Sequence, residues 1–153
     1  MVASLIGLVG PRFHNTEFLV HRSTDIRTRV VYVKKLRKGD SAGYNRAYMA
    51  KDDVWVATLP VGHADGWPRN AALSREKGAK VRINGDLYPV IASVSASHCI
   101  VEVGREERVK IGDTATFFDW QPGSRPEDVS ESCGASVYDL TMHLNPLLPR
   151  RLV

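Results

Sequence analysis

Asn84-Gly85 is the most constraining pair of residues in this 153-residue chain. It stands between two short runs, Val81-Arg82-Ile83 and Asp86-Leu87-Tyr88. Asn and Gly tolerate positive φ at both central positions of a two-residue loop, so the sequence predicts a type I′ hairpin here. The neighbouring segments agree with antiparallel sheet. The β-branched run Thr28-Arg29-Val30-Val31-Tyr32-Val33-Lys34-Lys35-Leu36 predicts one strand, closed by the turn Lys38-Gly39-Asp40. Val54-Trp55-Val56-Ala57-Thr58-Leu59 predicts another, stopped by Pro60 and Gly62. Residues 90–103 are β-rich and poor in breakers and read as one extended or bent strand, and Thr114-Ala115-Thr116-Phe117-Phe118 follows the turn Ile111-Gly112-Asp113.

One helix interrupts the pattern. Ser124-Arg125-Pro126-Glu127 has the form of a capping box with Pro in the first turn, and Gly134 stands where the helix would end. Residues 136–140 read as a last β-like piece before a Pro-rich tail. The predicted fold is mainly β, a compact barrel or sandwich with one short helix. Residues 1–20, with Gly7, Gly10 and Pro11 around an apolar run, fit it poorly.

Composition removes several function classes. No stretch approaches the roughly 20 apolar residues of a membrane span, and the N-terminus lacks the positive flank of a signal peptide. A cytoplasmic location is expected. Cys99 and Cys133 form no Cys-x-x-Cys pair and read as two small thiols in a reducing compartment. Residues 1–51 carry ten Lys and Arg against three acids, whereas the rest carries eleven against fourteen. A basic half fits either a polyanion or a face that meets an acidic neighbour.

Three clusters could carry chemistry. The first is Gly43-Tyr44-Asn45-Arg46-Ala47-Tyr48. Its tyrosines either pack a barrel rim or serve as a base, which requires a neighbouring cation because a phenol ordinarily titrates near pH ~10. The second is Val61-Gly62-His63-Ala64-Asp65-Gly66-Trp67-Pro68-Arg69, a breaker-rich loop of functional side chains. His63 and Asp65 could begin a metal site, yet nothing nearby completes one, and no metal is expected. The third is Tyr138-Asp139, where Tyr138 could bond a phosphate or merely end a strand. His98, in phase with Val94, Ala96 and Ile100, reads as a core or barrel-lining histidine.

The order of these blocks resembles the C-terminal β-domain of alanine racemase. The resemblance rests on residues 31–40, Gly43-Tyr44, residues 58–69, Ile83-Asn84-Gly85, Pro89-Val90-Ile91, Tyr138-Asp139 and Leu148-Pro149-Arg150. It implies a barrel-like β-domain over 21–153, with 1–20 as the end of an otherwise missing barrel domain. It further implies a pyridoxal phosphate enzyme interconverting L- and D-alanine, dimeric when complete. Its active site lies between the cofactor-bearing barrel of one subunit and the β-domain of the other.

By that resemblance Tyr44 takes the place of the tyrosine base, and Tyr138 that of the tyrosine bonding the cofactor phosphate. His63 replaces a second tyrosine of the substrate corridor, Arg69 retains a corridor arginine, and Ala96 stands where a backbone N–H meets the substrate carboxylate. The family's G-R-x-C-M-D-Q strand reads Ala92-Ser93-Val94-Ser95-Ala96-Ser97-His98, so Ser93 and Ser97 remove a charged pair. That loss predicts looser selection and room for a larger or more polar amino acid. No segment resembles the cofactor-lysine motif, so the isolated chain is expected to be inactive and to need a barrel partner. A degenerate, non-catalytic domain that binds a protein is the alternative, with a nucleic-acid-binding module a weaker third.

Overall fold

The computed structural model describes residues 25–72 and 78–149. Its organising feature is the dipeptide Val30-Val31. Strand β1 (Ile26–Arg29) precedes it and β2 (Tyr32–Leu36) follows it, yet these two strands lie at opposite ends of one seven-stranded antiparallel sheet. The other strands are β5 (Val54–Leu59), β6 (Lys80–Ile83), β7 (Asp86–Ile91), β8 (Cys99–Gly104) and β9 (Thr114–Phe118). Their order is β1-β9-β6-β7-β8-β5-β2, and a pair β3 (Ser41–Ala42) and β4 (Tyr48–Met49) stands apart.

Two residues cannot span a flat seven-stranded sheet, so the sheet curls until its edges meet. Val30 N–H donates to the Asp113 carbonyl at 2.9 Å and the Val30 carbonyl accepts from Gly112 at 2.8 Å, while Val31 N–H donates to the Thr58 carbonyl at 3.1 Å. The bend thus bonds to the turn before β9 and to β5, at the two ends of the sheet. The single strand expected over 28–36 is therefore two, because closure turns the chain at Val30.

The Asn84-Gly85 hairpin forms as predicted, with φ 52° and 93° at its two loop residues. Strands β5 and β9 also match their expected positions. The expected continuous strand 90–103 does not form. The chain leaves β7 at Ile91, turns through Ala92 at φ 58°, and returns antiparallel as β8. No Gly or Pro announces this reversal. Inside the barrel, Leu59, Val81, Ile83, Val90, Val101 and Phe117 are fully buried, each contributing about 1.5–3 kcal/mol of apolar transfer. Trp67 meets Phe117 edge-on, with ring centroids 4.7 Å apart.

Helix α1 (Pro126–Cys133) covers one side and ends at Gly134, which takes φ 63°. Its cap differs from the expected Ser124/Glu127 box. The Asp128 carboxylate accepts from Gly123 N–H at 2.7 Å and Arg125 N–H at 3.1 Å. Ser124 is drawn instead into a buried network, its hydroxyl donating to Asp119 at 2.7 Å and accepting from Arg82 at 2.9 Å. Residues 136–140, expected as β, belong to helix α2 (Val137–Met142). Ser136 caps it: its Oγ accepts from Asp139 N–H at 3.0 Å, and the Asp139 carboxylate accepts from Ser136 N–H at 3.2 Å. Two satisfied N–H groups outweigh the weak β preference of Val137 and Tyr138.

Cys99 and Cys133 are free and buried. Burial pushes the Cys99 thiol far up and the Cys133 thiol up to about 11, so both stay protonated. No helix among the described residues is long and apolar enough to cross a membrane. The expected barrel remnant at 1–20 and Arg150 lie outside the described residues.

Candidate functional site

The site is built from loops that the barrel brings to one cluster. Tyr44 lies between β3 and β4, whose register pairs Ala42 with Tyr48 and Ser41 with Met49. Gly43 starts the intervening turn at φ 74°, followed by Asn45 and Arg46, both at φ 54°. Left-handed backbone is uncommon outside Gly and costs about 1 kcal/mol or more per residue. Across the contact, Ala92 is left-handed as well. Of the four non-glycine residues with positive φ among the described residues, three therefore sit around Tyr44 and the fourth, Asn84, makes the hairpin turn. Gly43 packs so closely on the 92–93 backbone that a Cβ there would fall 2.5 Å from the Ala92 Cβ. The result holds Tyr44 outward, 68% exposed.

The loop from Gly62 meets the 92–98 loop through its backbone. His63 N–H donates to the Ser95 carbonyl at 3.0 Å and Ala64 N–H to the Ala96 carbonyl at 2.9 Å. The Ser95–Ala96 peptide is trans, so with its carbonyl taken by His63 its own N–H, that of Ala96, points away from the His63 turn. Asp65 closes the turn by accepting from Gly62 N–H at 2.9 Å. His63, Arg69 and Ala96 are all exposed.

The segment after α2 clamps the same loop. Asn145 donates to the Asp65 carbonyl at 3.2 Å through its backbone and to the Ala64 carbonyl at 3.1 Å through its side chain. Tyr138, on α2, is 56% exposed. Asp139 beside it is held below the ordinary carboxylate range by hydrogen bonds from the Ser136 hydroxyl and backbone.

The 92–98 loop thus touches the Tyr44 turn on one side and the His63 turn on the other, and the His63 turn touches the segment following Tyr138. Arg69 opens a separate short turn, Arg69–Ala72, anchored where the Asn70 amide donates to the Cys133 carbonyl. His98 is a correction. It is exposed, not barrel-lining, because it lies in the returning loop, where its Nδ1 faces the Ser97 hydroxyl at 2.9 Å. Sequence reasoning missed the turn at Ala92 and the buried Glu102. Only the paired glycines at 43 and 62 hinted at close backbone approach. Among the described residues, no group of three or more His, Cys, Asp or Glu could hold a metal.

A curled antiparallel sheet here presents the exposed side chains of Tyr44, His63 and Tyr138 from adjoining segments, with exposed Arg69 on a separate turn. Residues 23–152 match the family model described as alanine racemase, C-terminal domain, and the chain belongs to that family. It is 32% identical over 145 residues to the alanine racemase of Shewanella loihica, covering 95% of this chain and 37% of that protein. The biosynthetic alanine racemase of Pseudomonas aeruginosa superposes with a TM-score of 0.74 at 25% identity, over 83% of this chain and 34% of that one. A histidine racemase from Leuconostoc mesenteroides subsp. sake superposes equally well, TM-score 0.74 at 27% identity, over 84% of this chain and 34% of that one. The chain spans little more than a third of the length of these relatives.

Proposed function

We propose that this chain is the β-domain of an alanine-racemase-like, pyridoxal-phosphate-dependent amino-acid racemase, and that it supplies Tyr44 as one of two opposed bases to a cofactor-bearing barrel. One observation carries the reading. The tyrosine at the family's base position is exposed at the tip of a strained turn that is wedged against the loop holding Ala96.

The described residues fit one end of such a cofactor. A carbonyl cofactor needs an enclosed lysine, and Lys34, Lys35, Lys38, Lys51, Lys80 and Lys110 are all exposed. Tyr138, its side chain exposed in the first turn of α2, suits the phosphate. When bound, the cofactor supplies an electron sink for the carbanion left at Cα. The chain's own residues then divide the remaining tasks. Tyr44 takes or returns the Cα proton on one face at its phenolic oxygen. The Ala96 N–H donates to the substrate carboxylate. His63 and Arg69 line the approach, with an imidazole where the family has a phenol. Ser93 and Ser97 widen the range of accepted amino acids toward larger or more polar side chains, in keeping with the likeness to a histidine racemase. The working enzyme is a dimer with its site shared between barrel and β-domain, in the cytoplasm.

The test joins the chain to a barrel-bearing partner and follows Cα-proton exchange with deuterated solvent from each enantiomer separately. Tyr44→Phe should abolish racemisation yet retain exchange from the one enantiomer served by the opposite base. Unchanged racemisation removes Tyr44 from this role. A second reading, a binding domain without chemistry, draws on the lost Arg and Asp positions at Ser93 and Ser97; it requires a stable complex with no turnover.

A further inference from the structure

Strand β8 alternates as a barrel strand should. Cys99, Val101 and Val103 face the interior, and Ile100 and Glu102 face outward. An outward acid belongs in water, yet Glu102 is only 3% exposed. The β3–β4 ribbon covers it. Leu36, Ala50, Val54, Val56 and Ile91, with Ala42, Tyr48 and Ile100 against them, form a second apolar cluster outside the barrel, and Val56 stands opposite Glu102 in the β5–β8 register. Within it the Tyr48 hydroxyl donates to the Glu102 carboxylate at 2.6 Å, the short length of a charge-assisted bond.

An apolar residue at 102 would bury more cheaply, since a desolvated carboxylate rarely adds net stability. What the acid adds is direction. Apolar packing tolerates sliding, whereas a single hydroxyl-to-carboxylate bond sets the depth and rotation of the strand that carries it. That strand needs such a constraint, because a ribbon of two residues per strand is not stable by itself. Tyr48 pairs with Ala42, and everything between them is the turn that bears Tyr44.

We infer that Glu102, acting through Tyr48, is a positioning residue for Tyr44: the buried Tyr48–Glu102 bond docks the β3–β4 ribbon on the outer face of β8 so that its tip is held in one orientation. The inference rests on the reading of Tyr44 as the base. It is not a claim that Glu102 touches substrate.

The test uses the full chain and compares backbone hydrogen exchange in residues 41–49 with that in the β6–β7 hairpin, for Tyr48→Phe, Glu102→Leu and Glu102→Gln. Tyr48→Phe and Glu102→Leu should speed exchange over 41–49 by about tenfold and leave 80–91 unchanged. Glu102→Gln, which keeps an acceptor, should stay near the parent. Glu102→Leu should also keep or raise resistance to urea, a split that a merely structural role would not produce. If Glu102→Leu fails to fold, Tyr48→Phe and Glu102→Gln carry the comparison. Joined to a barrel partner, Tyr48→Phe should lower kcat by about a hundredfold, the scale of an ångström-level misplacement, with KM unchanged. Parent-like protection over 41–49 in Tyr48→Phe, or equal loss of protection in both segments, overturns the inference. Retained racemisation in Tyr44→Phe overturns the base assignment instead and leaves the exchange result standing.

Discussion

Replacing Gly62 by Ala sets two effects of opposite sign against each other. Gly62 has φ −137° and ψ −166°, extended backbone that any residue adopts. On chain entropy alone, Gly62→Ala should therefore stabilise the fold by about 0.4–1 kcal/mol. The structure demands the reverse. A Cβ at this position would lie closer than 3.0 Å to the Ser95 and Ala96 carbonyl oxygens, where ordinary contact begins at 3.4 Å. Both obstacles are backbone and cannot rotate away. The turn must retreat, which stretches the bonds from His63 and Ala64, now 3.0 and 2.9 Å, past the roughly 3.2 Å limit of a good N–H···O bond. Two such bonds at about 0.5–1.5 kcal/mol each, plus about 1–3 kcal/mol of overpacking, outweigh the entropic gain. The expected net loss is about 1 to 5.5 kcal/mol. Urea denaturation measures it, and exchange at the His63 and Ala64 amides locates it. A neutral or stabilised variant with both amides still protected would refute the close approach of the two loops.

The barrel's polar clamp should show a similar sensitivity. Arg82 bonds Asp119 at 3.2 Å, Ser124 at 2.9 Å and the Gly85 and Pro122 carbonyls, with both partners of the ion pair largely buried. Arg82→Met, which strands Asp119, should cost about 3–5 kcal/mol in urea denaturation, and Arg82→Met with Asp119→Leu markedly less; equal losses would discount the pair. The Asp139 cap should make the first turn of α2 acid-sensitive. Its folded pKa lies below the ordinary 3.8, so its stabilisation is complete above that value and disappears as the pH falls through the depressed one. Exchange at the Asp139 amide should rise in that acid window, and Asp139→Asn should remove the pH dependence.

The elements legible in advance were those whose signal is local. Asn84-Gly85 demands positive φ twice, Gly134 ends a helix that Pro126 begins, and residues 54–59 and 114–118 are β-branched or aromatic runs between breakers. The Ser136-x-x-Asp139 cap is equally local, but the β-branched Val137 beside it points the other way. The blocks around Tyr44, His63, Arg69 and Tyr138 carry the family resemblance in their order and spacing, which needs no coordinates.

Other features have no local cause. Nothing in residues 28–36 says that they must serve both edges of one sheet; closure of the barrel bends them at Val30-Val31. Residues 90–103 read as one strand because propensity counts residue types, whereas the reversal at Ala92 arises from the pairing of β7 with β8 and the wedge of Gly43. His98 kept its alternation and lost its burial for the same reason. Glu102 is the sharpest case, an acid on an outward position that only a covering ribbon can bury. Short-range sterics and hydrogen bonding determined the turns, the caps and most strands. Which face is inside, and which loops meet around Tyr44, was decided by contacts between residues far apart in the chain.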